Sequence, residues 1–224
     1  MTVWLHGWGT TPAVWRHLDC VAPGDVVADF AAAASVDALR DVVTQLLLPR
    51  PRASIVAWSL GATLAMEHLS QRAHVQPLTV IGATPCFCNL DGNPGWPIRT
   101  VDRMIRRLER DYTPVLTDFL DQLPSAPQGA LWQEIRGSLL ENRGFSKAGA
   151  AAGLHYLRDT DLRQAIRTYE GDISWICGQR DTIAPPEAAQ LAVRAQDSIQ
   201  LLDCGHLPQL DCPALLSRLL EHGA

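Results

Sequence analysis

Three residues, each placed just after a strand-like run, have the types and the order needed for acyl transfer. Ser59 sits at the apex of Ser54-Ile55-Val56-Ala57-Trp58-Ser59-Leu60-Gly61-Ala62, where an apolar run passes directly into a helix-like stretch. A sharp strand-to-helix turn holds a serine in a strained backbone with its hydroxyl clear of the sheet. Such a turn needs small residues two before and two after the serine, so that neighbouring backbones can pass closely. Gly61 meets the demand; Ala57 meets it with one extra methyl, where the usual pattern has glycine. A serine that only caps a buried helix would read the same way locally.

Serine is a weak nucleophile at neutral pH, so it needs a base, and the base needs an orienting partner. Asp181 lies in Gly178-Gln179-Arg180-Asp181-Thr182-Ile183-Ala184-Pro185 after one strand-like run, and His206 follows Asp203-Cys204-Gly205 after the last. Taken alone, a loop aspartate is an ordinary turn former and a lone histidine is usually structural. The order serine, acid, histidine carries the reading. Asp203 is a weaker orienting acid because it stands at the strand end. His17, His68, His74 and His222 lack a comparable loop. Acyl transfer also needs amides aimed at an oxyanion. The Leu60 amide, at the start of the helix after Ser59, is one expected donor. The Trp8 amide in His6-Gly7-Trp8-Gly9 is the other. That loop also resembles a phosphate cradle, but it lacks a third glycine and a P-loop lysine.

The elements that must position these groups alternate. Thr2–His6, Val26–Asp29, Ser54–Ala57, Leu78–Ile81, Ile173–Cys177 and Ile199–Leu202 read as buried strands; Ser35–Leu48, Leu60–Gln71, Pro186–Ala195 and Cys212–Leu220 read as helices. Ser35 is a fitting N-cap and Pro185-Pro186 a fitting helix start. This alternation predicts an α/β fold with a mostly parallel sheet of about six strands, covered on both faces. Between about Cys86 and Arg167 the periodicity is helical throughout. The expected division is therefore a core of residues 1–85 and 168–224 with a helical insertion, 86–167. Gly92-Asn93-Pro94-Gly95 and Pro124-Ser125-Ala126-Pro127 mark turns within it.

Within the insertion, Arg99, Arg103, Arg106, Arg107 and Arg110 fall on an arc of roughly 100° at helical pitch, opposite Val101, Met104, Ile105 and Leu108. On a chain of net charge −5, such a face suits an acidic partner bearing a phosphate, which arginine binds bidentately. A solvated face paired to Asp102, Glu109 and Asp111 is the plainer alternative. The acidic balance argues against general nucleic-acid binding. Apolar runs fall short of a bilayer span, and Met1–Gly7 lacks the features of a signal peptide, so no membrane association and a cytoplasmic location are expected. The six cysteines, of which Cys86-Phe87-Cys88 is the nearest pair, are expected to be free thiols rather than metal ligands. No metal or organic cofactor is expected, and the chain is expected to act as a monomer.

The whole pattern resembles the BioH-type carboxylesterases of the α/β-hydrolase superfamily, which cleave the methyl ester of pimeloyl-(acyl-carrier protein) in biotin synthesis. The matching segments span nearly the full chain: His6-Gly7-Trp8-Gly9 with Val14-Trp15, Trp58-Ser59-Leu60-Gly61, Thr84-Pro85-Cys86-Phe87 with Trp96-Pro97, Gly153-Leu154, Asp161-Leu162-Arg163-Gln164, Gly178 to Asp181, and Gly205-His206. The resemblance implies an α/β-hydrolase fold with a helical lid and a triad of Ser59, Asp181 and His206. It further implies oxyanion amides at Trp8 and Leu60, an acyl channel lined by Trp58 and Phe87, and an acyl-carrier protein as partner. Arg136 matches one of the family's carrier-binding lid arginines. The chain departs from the pattern at Ala57 and in beginning at the strand before the oxyanion loop, so the family's first hairpin is expected to be missing. Two rival functions stay open: another small-molecule esterase, thioesterase or lactonase on this scaffold, and a catalytically silent binding protein.

Overall fold

In the computed structural model, residues 1–123 and 130–222 are described. The Pro124–Pro127 turn expected from sequence lies outside them. Six strands, β1 (Thr2–Leu5), β2 (Val26–Val27), β3 (Ser54–Trp58), β4 (Leu78–Ile81), β5 (Ile173–Gly178) and β6 (Ser198–Leu202), form one sheet in the order β2-β1-β3-β4-β5-β6. Every pairing is parallel. Its central residues, including Val3, Leu5, Ile55, Ala57, Val80 and Ile176, are buried, as a sheet covered on both faces requires.

The chain lays β2 to one side of β1 and then β3 to the other. The carboxyl ends of β1 and β3 therefore adjoin at a point where the winding reverses, which in open parallel sheets is where a crevice opens. The loops that leave these two ends carry Trp8 and Ser59.

The helices around the sheet are α1 (Val36–Leu47), α2 (Leu60–Ser70), α3 (Ile98–Arg110), α4 (Tyr112–Leu120), α5 (Ala130–Glu141), α6 (Lys147–Asp159), α7 (Arg163–Thr168), α8 (Pro186–Gln190), α9 (Pro208–Asp211) and α10 (Pro213–His222). Ser35 caps α1 by accepting from the Ala38 amide at 3.1 Å. Helices α3 to α7 fill the interval between β4 and β5. Its two ends are stitched together: Cys86 bridges Asp161, and the Leu162 amide donates to the Pro85 carbonyl at 2.7 Å.

Two helices differ from the sequence expectation. α8 stops at Gln190, well short of residue 195, because Arg194 turns inward and donates to Asp197 and to the carbonyls of Ile166, Tyr169 and Gly171. The expected C-terminal helix, Cys212–Leu220, starts at Pro213 as α10 and is preceded by a short helix, α9, that the sequence did not announce; the two are separated at Cys212, whose amide closes α9 by donating to Pro208 and whose φ of −146° is not helical. All six cysteines are free; Cys20 and Cys212 are only partly buried.

One device recurs on both sides of the sheet. Asp25, just before β2, accepts from the Thr2 amide and the Trp4 indole of β1, at 2.7 and 3.0 Å. Asp197, just before β6, accepts from the Ile173 amide and the Trp175 indole of β5, at 3.0 and 3.3 Å. Each aspartate thus fixes the start of one strand against its neighbour. Asp197 is held in its charged form by these donors and by Arg194. Its side chain is fully buried and that of Arg194 is 10% exposed. Replacing Asp197 with alanine strands a buried guanidinium, a change that costs about 3–5 kcal/mol. Urea unfolding of Asp197→Ala should show that loss; a midpoint equal to wild type would contradict the assignment.

Candidate active site

Ser59 occupies a turn with φ 54° and ψ −123° between β3 and α2. Its amide donates to the Ile81 carbonyl at 3.0 Å, and its carbonyl accepts from the Ala62 and Thr63 amides at 3.0 and 3.1 Å. The turn is possible because of what lies beneath it. A Cβ at Gly61 would stand 2.7 Å from the carbonyl oxygens of both Leu5 and His6, so α2 can sit this close to β1 only with glycine there. Ala57, paired between Leu5 and Val80, is accommodated without exposure. Gly7 passes over the serine: a Cβ there would lie 3.0 Å from Ser59 Cβ.

The three residues singled out in the sequence meet in one hydrogen-bonded chain. His206 Nε2 is 3.0 Å from Ser59 Oγ, and His206 Nδ1 is 2.7 Å from Asp181 Oδ2. Asp181 Oδ1 accepts from the Ile183 and Ala184 amides at 2.8 Å each. All three side chains are buried. With Nδ1–H donating to the carboxylate, Nε2 presents its lone pair to the serine hydroxyl, the arrangement a general base requires. Asp203, the alternative acid, is ion-paired with Arg180 and its side chain is 78% exposed. Gly82, which the sequence reading passed over, makes room for the group. It has φ +49°, and a Cβ there would be 3.3 Å from His206 Nδ1 and 3.4 Å from Asp181 Oδ2. A glycine directly after β4 was its only signal.

The amides of Trp8 and Leu60 have no acceptor among the described residues. The Gly7–Trp8 peptide is oriented from behind. Its carbonyl accepts from Thr10 Oγ1 at 2.8 Å and lies 3.1 Å from His6 Nδ1. A peptide's N–H points opposite to its carbonyl, so anchoring the Gly7 oxygen aims the Trp8 amide the other way. His6 packs edge-on against Phe30 and Phe145, and its Nε2 has no partner. Burial pushes its pKa down to about 4, which keeps the ring neutral. Sequence reading placed His6 in the loop but missed this role, because it depends on Thr10 and on rings far along the chain.

Above Ser59 lies a narrow apolar cleft lined by Trp8, Phe87, Trp96, Met104, Phe119 and Leu154, among others. Phe87 is among these lining residues. Trp58 is not: it is wholly buried, outside this lining, and turned toward His206, to whose carbonyl its indole donates at 2.8 Å. The reason is strand alternation, since adjacent residues on β3 and the elbow point to opposite sides. A larger cavity of about 520 Å³ lies at the far end of the sheet, among Thr2, Ser54, Thr79 and Ser174, away from the serine.

Arg99, Arg103, Arg106, Arg107 and Arg110 are all exposed on α3, while Val101, Ile105 and Leu108 are buried and Met104 faces the cleft. Arg107 is paired with Asp118, and Arg136 on α5 with Asp121. Among the described residues no helix is long and apolar enough to cross a membrane, and no group of three or more His, Cys, Asp or Glu side chains is arranged to hold a metal ion.

His6 gives a signed pH dependence. In an unfolded chain its imidazole titrates near 6.5, so between pH 6.5 and about 4 the unfolded state carries a proton that the native state lacks. The stability linked to His6 is complete above pH 6.5 and is lost as pH falls toward 4, by about 3 kcal/mol. His68, also lowered to about 4, acts with the same sign. His6→Asn should therefore flatten the acid limb of a stability–pH curve relative to wild type; parallel curves would exclude His6 as its source.

A family model described as alpha/beta hydrolase family matches residues 2–219. Curated relatives include a pimeloyl-(acyl-carrier protein) methyl ester esterase of Nitrosomonas europaea, 30% identical over 94% of this chain and 90% of the relative. Another protein of that name, from Aromatoleum aromaticum, is 29% identical over 98% of this chain and 96% of its own. Among solved structures, an esterase from Exiguobacterium antarcticum superposes with a TM-score of 0.81 at 21% identity, covering 99% of this chain and 90% of its own. With a parallel sheet, a strained serine turn and a family match that spans almost its whole length, the chain belongs to the alpha/beta hydrolase family.

Proposed function

We propose that this protein hydrolyses the methyl ester of pimeloyl-(acyl-carrier protein), releasing methanol and pimeloyl-(acyl-carrier protein) for biotin synthesis. The chain is an ester hydrolase, and its relatives bear the name of that esterase. The observation that carries the reading is the bonded chain Ser59–His206–Asp181 at the floor of an apolar cleft.

In the proposed reaction, Ser59 Oγ attacks the ester carbonyl while its proton passes to His206 Nε2. The charge that forms on the carbonyl oxygen is met by the Trp8 and Leu60 amides, each such donor contributing about 2.7–4 kcal/mol. His206 then protonates the departing methoxide oxygen and methanol leaves. A water gives its proton to His206 and adds to the acyl-enzyme; collapse of that second intermediate frees the carboxylate and returns the proton to Ser59. Asp181 stays ionised and steadies the imidazolium.

The cleft suits this substrate. Its lining is apolar and so matched in chemistry to a neutral methylene chain. Arg99, Arg103, Arg106 and Arg110 have no ion-pair partner among the described residues, and the opposite side of their helix carries Met104 into the cleft. An acidic carrier held on that face would stand beside the cleft. Arg107 and Arg136 are engaged by aspartates and are weaker docking residues. The six free thiols favour a cytoplasmic location.

Two experiments test the reading. Ser59→Ala should lower turnover of the carrier-bound methyl ester at least about 10³-fold; a variant that turns over at wild-type rates would end the serine mechanism. Reversing charge at Arg103 and Arg106 together should raise KM for the carrier-bound ester, with a strong salt dependence, and leave a free short methyl ester unaffected. Equal effects on both substrates would leave a small-molecule esterase as the better description.

A further inference from the structure

We infer that Trp58 is a positioning residue for the base, one that fixes His206 through its main-chain carbonyl rather than through a ring nitrogen. This inference rests on the proposed role of His206, and it begins from an adjacency. Two consecutive residues grip opposite ends of the same histidine. Ser59 Oγ meets Nε2 at 3.0 Å, and the Trp58 indole donates to the His206 carbonyl at 2.8 Å. Both grips come from one rigid turn, so the distance between nucleophile and base is set locally at the elbow. Movements of the loop after β6 relative to the sheet are thereby kept out of the reacting geometry.

The residues just before His206 are tied elsewhere, the Asp203 and Cys204 carbonyls accepting from Arg180 and the Gly205 amide donating to Asp211, so His206 needs anchors of its own. Beyond Leu202 the chain leaves β6, and His206 precedes the short helix α9. Its amide donates to Leu123 of the inserted helices at 3.1 Å. The Trp58 bond supplies the second main-chain anchor, from the sheet side. The indole ring also packs on the imidazole, with centroids 5.4 Å apart and planes tilted by 46°. Gly82 completes the nest: a Cβ there would fall 3.4 Å from Trp58 Nε1 and 3.3 Å from His206 Nδ1.

The chemistry gives a reason for holding the backbone rather than the ring. During turnover the base takes a proton from the serine and delivers it to the leaving oxygen, which lies in a different direction. Both ring nitrogens are already engaged, by Asp181 and Ser59, so a further grip on the ring would impede that small reorientation, while an untethered His206 would drift out of reach. Holding the carbonyl, and leaving Nε2 to face only the serine, satisfies both demands. Phenylalanine would fill the space at residue 58 but would leave a buried carbonyl without its donor, a loss that falls on the His206 peptide itself.

The molecule contains its own control. Trp15 packs edge-on against Trp58, with centroids 6.5 Å apart, and is equally buried, but its indole N–H has no partner. Trp15→Phe and Trp58→Phe therefore remove the same atoms from neighbouring sites, and only the second removes a hydrogen bond.

The test compares Trp58→Phe, Trp15→Phe and Ser59→Ala with wild type on p-nitrophenyl acetate and on the methyl ester substrate. A proton NMR measurement follows the downfield resonance of the hydrogen shared by His206 and Asp181. Trp58→Phe should lower kcat on the methyl ester on the order of tenfold or more, with KM within about twofold, and should broaden or abolish the downfield resonance. The loss should be smaller on p-nitrophenyl acetate, whose leaving group needs no proton. Trp15→Phe should stay within about twofold of wild type and keep the resonance. Replacement of Trp58 by benzothienylalanine, which keeps the ring shape and lacks the N–H, should reproduce the Trp58→Phe result even if the phenylalanine variant folds poorly. Wild-type kcat in either Trp58 variant, or equal losses in Trp58→Phe and Trp15→Phe, would overturn the inference. Activity in Ser59→Ala would instead strike at the reaction proposed above, so the two failures are distinguishable.

Discussion

The backbone of Ser59 sets the terms on which the rest of the molecule is built. Its φ of 54° with ψ of −123° is a conformation that L-residues avoid, at a cost on the order of 1–3 kcal/mol. The turn persists because its surroundings leave it no alternative. Its amide is taken by Ile81 in the next strand, its carbonyl by the first turn of α2, and α2 rests on the Leu5 and His6 carbonyls through the bare face of Gly61. The order of strands follows from this need, since β1 and β4 must flank β3 for both supports to exist. The reversal of winding between β1 and β3 then brings the Gly7–Trp8 peptide beside the hydroxyl.

Polarity within the site is arranged by neutralising some groups and saturating others. His6 lies among aromatic rings and is held neutral by burial, so it can serve as a fixed dipole behind the Gly7 carbonyl. Asp181 is the opposite case, a buried carboxylate with two amides on one oxygen and an imidazole on the other. Hydrogen bonds of this kind are what make a buried charge tolerable. Burial, with the charge of Asp181, also pushes the Cys177 thiol up to about 12, which keeps that thiol protonated.

Much of this was legible in the sequence, for reasons that can be traced to particular residues. The strands around Ile55, Val80 and Ile176 are short, β-branched and buried on both faces, so they announce themselves by composition alone. Ser59 and Asp181 each follow such a strand and His206 follows the more exposed edge strand β6, and the three could be linked because strand order fixes which loops meet. Side-chain direction was harder to read. Trp58 was placed in the channel by the family resemblance, yet neighbours on a strand face opposite ways, and it turned to the histidine instead. Arg107 and Arg136 appeared as free as the other lid arginines until Asp118 and Asp121, on other parts of the insertion, were brought against them. α8 was predicted too long because a buried ion pair at Arg194, invisible to periodicity, draws the chain inward. Local pattern gives the elements; partners distant in sequence decide where their side chains go.

The tryptophans show how those distant partners are chosen. The chain has 7 of them, and five donate their indole N–H to an acceptor in another part of the fold. Trp4 and Trp175 reach the aspartates that fix β2 and β6, and Trp96 reaches the Thr182 carbonyl. Trp8 reaches Ala150 on α6, and Trp58 reaches His206. A large buried ring fills space and excludes water, but a single donor at one edge also gives it a direction. Three of the five acceptors are carbonyls, two in the loops after β5 and β6 and one on α6. Trp15 marks the limit of the pattern, since it packs against the same core with its N–H unpartnered, so core filling alone does not require the bond. Where the N–H is used, it ties one segment of the fold to another, and at Trp8 and Trp58 the segments joined are those that carry the Trp8 amide and His206.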